Sequence, residues 1–260
     1  ANVLAIRSHP PLTAIADMAR ALSMLRGKQV DSAIDLEFFA RGSAILSYLS
    51  GCQTRVGLHG SAGEAPYRGD LMTHRVRYNP YLHTADTFRL LVEALDQSSG
   101  ALLPFPVTTP AVDEQTPMVV PSENELMEVS GLIQAALPAG KCASLILLNP
   151  NCSDILPLRR WPEKNYVELA RLLTARYPHA HVAITGAPSE RIAGEGFVSQ
   201  VGSERCFSLA GSTTLRQLLT LYSMAEVLVT NDSGPAQFAT LTPIDVVTLF
   251  GPESPRLFAA

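Results

Sequence analysis

Short apolar runs rich in Val and Ile alternate along the chain with amphipathic stretches of helical period, and this alternation limits the fold more than any other feature. Strands are expected at residues 3–6, 30–36, 55–58, 144–149, 181–185, 226–230 and 245–250. Helices are expected between them at 12–25, 38–49, 81–95, 123–137, 162–177, 214–223 and 235–241. Strands that take turns with helices fold as βαβ units, whose strands run parallel in one sheet. In YVELARLLTARY, Val167, Leu169, Ala170, Leu172 and Leu173 make one apolar stripe, with Glu168, Arg171 and Arg176 outside it. The expected class is α/β.

The pattern breaks once, in DQSSGALLPFPVTTPAVDEQTPMVVPS, which holds five prolines and no sustained period. Residues 97–122 therefore read as a linker, with one short strand at PMVV, between a first half at 1–96 and a second at 123–260. A chain of 260 residues can build a core in each half. Two such halves imply a cleft between domains, a common ligand site.

Composition narrows the function. A formal net charge of −4 has the wrong sign for a nucleic-acid partner. No apolar run approaches the roughly 20 residues that span a bilayer, and no signal-peptide pattern opens the chain, so a cytoplasmic location is expected. Cys52, Cys142, Cys152 and Cys206 form no CxxC pair and read as reduced thiols. His179 and His181 flank a strand start and read as structural or exposed, and no His/Asp cluster demands a metal. The chain opens inside the apolar run NVLAI and stops at LFAA without a polar tail, which suggests a piece of a longer protein.

In open parallel sheets, ligands bind beyond the carboxyl ends of the strands. Three strand ends here carry unusual chemistry. After the strand ending at Asn149, a loop brings Arg159 and Arg160 in front of Trp161, with Pro162 at the expected helix start. Paired arginines suit an anion such as a diphosphate, and suit equally a solvated pair stacked over Trp161. After VAIT, Ser189 can cap the next helix, and Glu190 in its first turn can complement the helix dipole or accept from ribose hydroxyls. In VLVTNDSGPAQFATL, Ser233 and Gly234 precede Pro235 at a helix start, the arrangement that offers free N–H groups to phosphate. Asp232 stands out there, because a carboxylate repels phosphate. It can cap the helix or hold hydroxyls of whatever the phosphate carries.

LLNPNCSDILPLRRWPEKNYVELARLL, AITGAPSE and VLVTNDSGPAQFATLTPIDVVTLFGPESP resemble the C-terminal half of family 9 glycosyltransferases, the ADP-heptose:lipopolysaccharide heptosyltransferase group. IDLEFFARGSAILSYLSGCQTRVGLHG and YRGDLMTHRVRYNPYLH are similar to the later part of that family's N-terminal domain. The resemblance implies a GT-B fold: two Rossmann-like domains facing across a cleft, with the donor held mainly by the C-terminal one. It places Ser233 and Gly234 on the diphosphate, Asp232 on the donor sugar and Glu190 on the ribose. Arg159 or Arg160 would stand where the family has a basic residue by the phosphate, often Lys.

The implied reaction is sugar transfer from a nucleotide sugar, with ADP-heptose as donor substrate and neither cofactor nor metal. The family's general base is an Asp in a glycine-containing turn after the first strand, and residues 1–25 do not match that motif. Asp17 lies mid-helix in AIADMARALS, so the base is expected upstream of Ala1 and the N-terminal domain is read as incomplete. By the same comparison the C-terminal domain continues past LFGPESP.

Between residues 55 and 83, Arg55, Arg68, Arg75 and Arg77 with His59, His74 and His83 face only Glu64 and Asp70. This basic stretch suits an anionic glycolipid acceptor such as phosphorylated lipopolysaccharide core, with Arg68 and His83 as candidates, or is a solvated loop. Contact with the inner face of the inner membrane would be peripheral, through the acceptor lipid. Two other readings stay open: a non-catalytic or remnant nucleotide-sugar-binding domain, and a GT-B enzyme using another donor such as a UDP-hexose.

Overall fold

The computed structural model describes residues 3–7, 10–60, 70–100, 102–103, 117–137, 142–152 and 156–259. The chain divides into two compact units, Ala1–Val112 and Asp113–Ala260.

Unit 1 contains α1 (Pro11–Gly27), β1 (Ser32–Asp35), α2 (Arg41–Leu49), β2 (Thr54–His59), β3 (His74–Arg77), α3 (Thr84–Glu93) and β4 (Leu102–Leu103). The four strands lie side by side in chain order, all parallel. Val56, Leu58, Val76, Leu91 and Ala94 form its core, with Phe38, Tyr78 and Phe88 packed against them. Residues 3–6 form no strand. Arg7 instead ties this segment to α1 through its Nε, 2.8 Å from Asp17 Oδ2. That bond, with Arg20 nearby, holds the buried Asp17 carboxyl down at about 2. Two strands escaped the sequence reading. β3 reads HRVR, and its arginines mask an inward face made of His74 and Val76. β4 falls inside the expected linker and pairs with β3.

Unit 2 contains α4 (Glu123–Ala136), β5 (Ser144–Asn149), α5 (Glu163–Arg176), β6 (Ala180–Ile184), α6 (Arg191–Val201), β7 (Cys206–Ser208), α7 (Leu215–Met224), β8 (Val227–Asn231), α8 (Gly234–Ala239), β9 (Asp245–Leu249) and α9 (Pro255–Phe258). The parallel sheet has the order β7-β6-β5-β8-β9. Side chains of β5 alternate between its faces, as a strand's period of two requires. Leu145 and Leu147 join a cluster with Val129, Ile133, Leu221 and Tyr222 of α4 and α7. Ile146 and Leu148 join Tyr166, Val167, Phe197 and Val201 of α5 and α6. Covered on both faces, β5 and β6 read as continuous apolar runs, which is why they were legible.

Three local expectations change. Leu172 is exposed, and Thr174 takes its place inside, its Oγ1 donating to the Ala170 carbonyl at 2.9 Å. β7 has three residues, too few to show a period, and PMVV is no strand, although Val119 N–H donates to the Leu241 carbonyl at 2.7 Å. His181 is buried in β6 and His179 is exposed, in line with the expectation that the two are structural or exposed. α4 starts with a capping box between Ser122 and Glu125, and Arg216 of α7 donates to Glu125 at 2.6 Å, joining the two helices.

The topology places the site. The chain runs outward from β5 to β6 and β7, then returns to lay β8 on the other side of β5. The carboxyl ends of β5 and β8 therefore flank a switch point, where a crevice opens because the following loops diverge.

Candidate functional site

A cavity of about 730 Å³ opens at that switch point, inside unit 2. Its polar end is built by Asn149 from β5, Arg159 from the following loop, and Asp232, Ser233 and Gly234 after β8. Its lining also includes Ala187 and Glu190 after β6, and Thr213, Leu215 and Leu218 around the start of α7.

The two arginines part company. Arg159 ends a 3-10 turn, Pro157–Arg159, and lines the cavity half-buried, with Nη2 donating to Glu253 at 3.2 Å. Arg160 points elsewhere. It is exposed, donates to the Cys152 carbonyl at 2.8 Å and lines a smaller hollow of about 320 Å³ beside α6. Trp161 sets its ring edge-on to Tyr166, centroids 4.9 Å apart.

Asp232 is buried, with its Oδ2 3.7 Å from Arg159 Nε, too far for a hydrogen bond. Both atoms lack a hydrogen-bond partner. Burial pushes the Asp232 carboxyl above its ordinary range, Arg159 pulls it back, and Glu253 adds to the rise. It does not cap α8: Ser233 holds the N-cap position, and its hydroxyl donates to the Asn231 carbonyl at 3.2 Å. The capping role considered for Asp232 is thus excluded by geometry. α8 is six residues long, so its dipole is a small term beside the full charge of Arg159. Pro235 has no N–H and Ala236 spends its own on the Ser233 carbonyl, which leaves Ser233 and Gly234 as the backbone donors there.

Glu190 stands on the wall shared by the two hollows. Its Oε2 accepts the Ala187 N–H at 2.6 Å, closing the turn before α6. Ser189 lies within that 3-10 turn, Pro188–Glu190, and makes no cap for α6.

Sequence reasoning missed three residues that converge on Arg159. Glu253 is its partner. Gly251 lies so close that a Cβ there would come within 2.7 Å of the Leu158 carbonyl and 3.2 Å of Arg159 Cα, so the glycine of LFGP is a packing requirement. Asn231, wholly buried, bonds the loop that carries Arg159. Their only sequence signal was membership of the TND and LFGPESP runs.

The acceptor candidates fare differently. Arg68 lies outside the described residues. His83 is the N-cap of α3, its Nδ1 accepting the Ala85 N–H at 3.2 Å. Arg55 donates to the Leu71 carbonyl at 2.8 Å, and Arg75 bonds Asp70 at 2.7 Å and the Gly100 carbonyl at 2.9 Å.

The family model for "Glycosyltransferase family 9 (heptosyltransferase)" matches residues 18–260. The chain belongs to glycosyltransferase family 9. Among curated family 9 relatives it is similar to lipopolysaccharide heptosyltransferase 2 of Salmonella typhimurium, 36% identical over 103 residues, 38% of this chain and 29% of that protein. It is also similar to lipooligosaccharide heptosyltransferase 2 of Haemophilus ducreyi, 26% identical over 162 residues, 59% of this chain and 46% of that protein. These matches span less than half the length of the relatives.

Three solved structures share its α/β, GT-B-type fold. One is ADP-heptose lipopolysaccharide heptosyltransferase II of E. coli, with TM-score 0.66 and 24% identity, covering 94% of this chain and 69% of that one. Another is a family 9 glycosyltransferase of Veillonella parvula, with TM-score 0.73 and 18% identity, covering 98% of this chain and 67% of that one. E. coli heptosyltransferase WaaC, solved with ADP, has TM-score 0.60 and 19% identity, covering 94% of this chain and 68% of that one. Among the described residues, no helix is long and apolar enough to cross a membrane, and no three His, Cys, Asp or Glu side chains gather as a metal site.

Proposed function

We propose that this chain carries the nucleotide-sugar site of a glycosyltransferase, with ADP-heptose as donor and an anionic lipopolysaccharide-core-type glycolipid as acceptor. The observation that carries the reading is the pair of buried polar atoms without partners, Arg159 Nε and Asp232 Oδ2, at the wall of a large cavity. Buried polar groups are nearly always bonded, so an unmet pair at a cavity wall is what a ligand would complete.

Arg159, with the N–H groups of Ser233 and Gly234, receives the diphosphate. Asp232 accepts hydroxyls of the donor sugar, and Glu190 those of the ribose. The apolar side chains Leu215 and Leu218 give the nucleobase a surface to lie on. In the transfer, an acceptor hydroxyl oxygen bonds the anomeric carbon as the bond from that carbon to the diphosphate breaks. A base takes the hydroxyl proton, and Arg159 meets the charge that gathers on the leaving diphosphate. No described residue is assigned as that base. The acceptor side rests on the basic stretch of unit 1, with Arg68 and His83 as its named candidates.

Calorimetric titration with ADP and ADP-heptose tests the reading. A charge-assisted bond to phosphate contributes about 1.5–3 kcal/mol, so Arg159→Gln should weaken ADP binding about tenfold or more. Arg160→Gln should stay within about twofold, as expected of an exposed side chain outside the cavity. A wild-type protein that binds neither ligand sinks the proposal. A direct assay of heptose transfer to an acceptor separates an enzyme from a binding domain.

A further inference from the structure

Asn231 has no exposed surface, and its side chain uses its whole bonding capacity on the β5–α5 loop and the helix that follows it. Oδ1 accepts the Trp161 backbone N–H at 2.9 Å and the Tyr166 hydroxyl at 3.2 Å. Nδ2 donates to the Pro150 carbonyl at 3.0 Å and to the Asn151 carbonyl at 3.2 Å. The bonds therefore grip both ends of the connection between β5 and α5. Arg159 sits two residues before the Trp161 end. Asp232, on the other side, is the next residue after Asn231.

We propose that Asn231 is a positioning residue: it seats the β5–α5 connection and so sets where the Arg159 guanidinium stands relative to Asp232. Ligand contact is not part of its role, and the inference rests on the donor-site reading for its link to nucleotide. The chemistry of the side chain is specific. Two donated and two accepted bonds are needed, which Asn supplies from one amide nitrogen and one oxygen on a short side chain. An Asp here would keep the two accepted bonds and turn a carboxylate oxygen toward two carbonyls. A Leu or Ala would leave four buried polar groups open.

The chain has a single tryptophan, Trp161, whose own N–H is one of the four bonds, so its emission reports the seating directly. The experiment compares Asn231→Ala and Tyr166→Phe with wild type, by Trp emission and by ADP calorimetry, each also in an Arg159→Gln background. Asn231→Ala should shift the emission to longer wavelength and weaken ADP binding about tenfold; in the Arg159→Gln background it should cost less than about twofold. Tyr166→Phe, which removes one bond, should move both readouts the same way by about threefold in affinity, and it carries the test if Asn231→Ala does not fold.

A residue that merely supports the fold would lower affinity equally in both backgrounds, and that result overturns the proposal. Unshifted emission with unchanged affinity overturns it too. If wild type binds no ADP, the donor-site reading fails by itself, and the emission comparison then decides the seating: a shift in Asn231→Ala upholds it and no shift overturns it.

Discussion

Asp232→Asn isolates the sugar end of the proposed site from its phosphate end. The side chain is 7% exposed, its Oδ2 accepts no hydrogen bond, and Arg159 Nε lies 3.7 Å away. A sugar hydroxyl donating to this buried carboxylate would contribute about 1.5–3 kcal/mol, roughly 10- to 100-fold in affinity. ADP alone cannot make that bond. It instead feels the carboxylate as a like charge: at roughly 6 Å and an effective dielectric of 20–40, the repulsion is about 1–3 kcal/mol. Neutralising the group should therefore leave ADP binding equal or tighter while removing most of the advantage of ADP-heptose over ADP. Arg159 keeps Glu253 at 3.2 Å, so the swap orphans no cation. Paired calorimetric titrations give the ratio of the two Kd values for wild type and variant. Equal losses for both ligands, or a larger loss for ADP, would refute the reasoning. The pH dependence adds a second check. Burial raises the Asp232 carboxyl, so it takes up its proton at a higher pH than an ordinary carboxylate. The wild-type preference for ADP-heptose should fall as pH drops through that raised range, and the Asp232→Asn preference should stay flat.

Gly251→Ala should lower both ADP affinity and Tm, because its Cβ would meet backbone atoms of Leu158 and Arg159 that cannot swing aside. Overpacking of this kind costs about 1–3 kcal/mol, a drop of roughly 2–10 °C by calorimetric scan. Gly234→Ala is the contrast: its Cβ would touch only the Phe238 ring, at 3.4 Å, so an unchanged Tm with lost ADP affinity would place a ligand against that backbone. In acid, the Glu125 carboxyl titrates at about 2 instead of 4.5, owing first to its bond from Arg216 and then to Ser122. Its folded pKa is lowered, so its stabilisation is complete above about 4.5 and lost as pH falls toward 2. Glu125→Gln should flatten that limb of the acid-unfolding curve, and an unchanged limb would count against the pairing.

The alternation that set the fold class was readable because both faces of β5 and β6 are covered, which leaves no polar face to blur the run. β3 hid for the opposite reason: its arginines reach outward from a strand whose inner residues are a His and a Val. Within the site, Glu190, Asp232, Ser233 and Gly234 were readable because polar and small residues at a strand end stand out against the apolar run before them. Local sequence could not say which arginine enters the cavity. That choice is made by Asn231, 70 residues from Trp161, and by Glu253, 94 residues from Arg159. No window of the sequence contains both partners.

For the resemblance's expectation of a basic residue here, often Lys, the same convergence favours an arginine. One guanidinium between two carboxylates leaves the cluster formally negative, so a diphosphate gains little from the local field before contact. Its recognition must come from directed bonds. Arg159 Nη2 is held by Glu253 while Nε faces Asp232, which leaves Nη1 for phosphate without releasing either neighbour. A lysine ammonium also has three donors, but they radiate from one nitrogen, so it cannot serve Glu253, Asp232 and a phosphate from separate atoms as the fork does. A planar fork held at one end and open at another keeps the charge in place whether or not a phosphate is bound. Glu253 in that arrangement orients the guanidinium as much as it neutralises it.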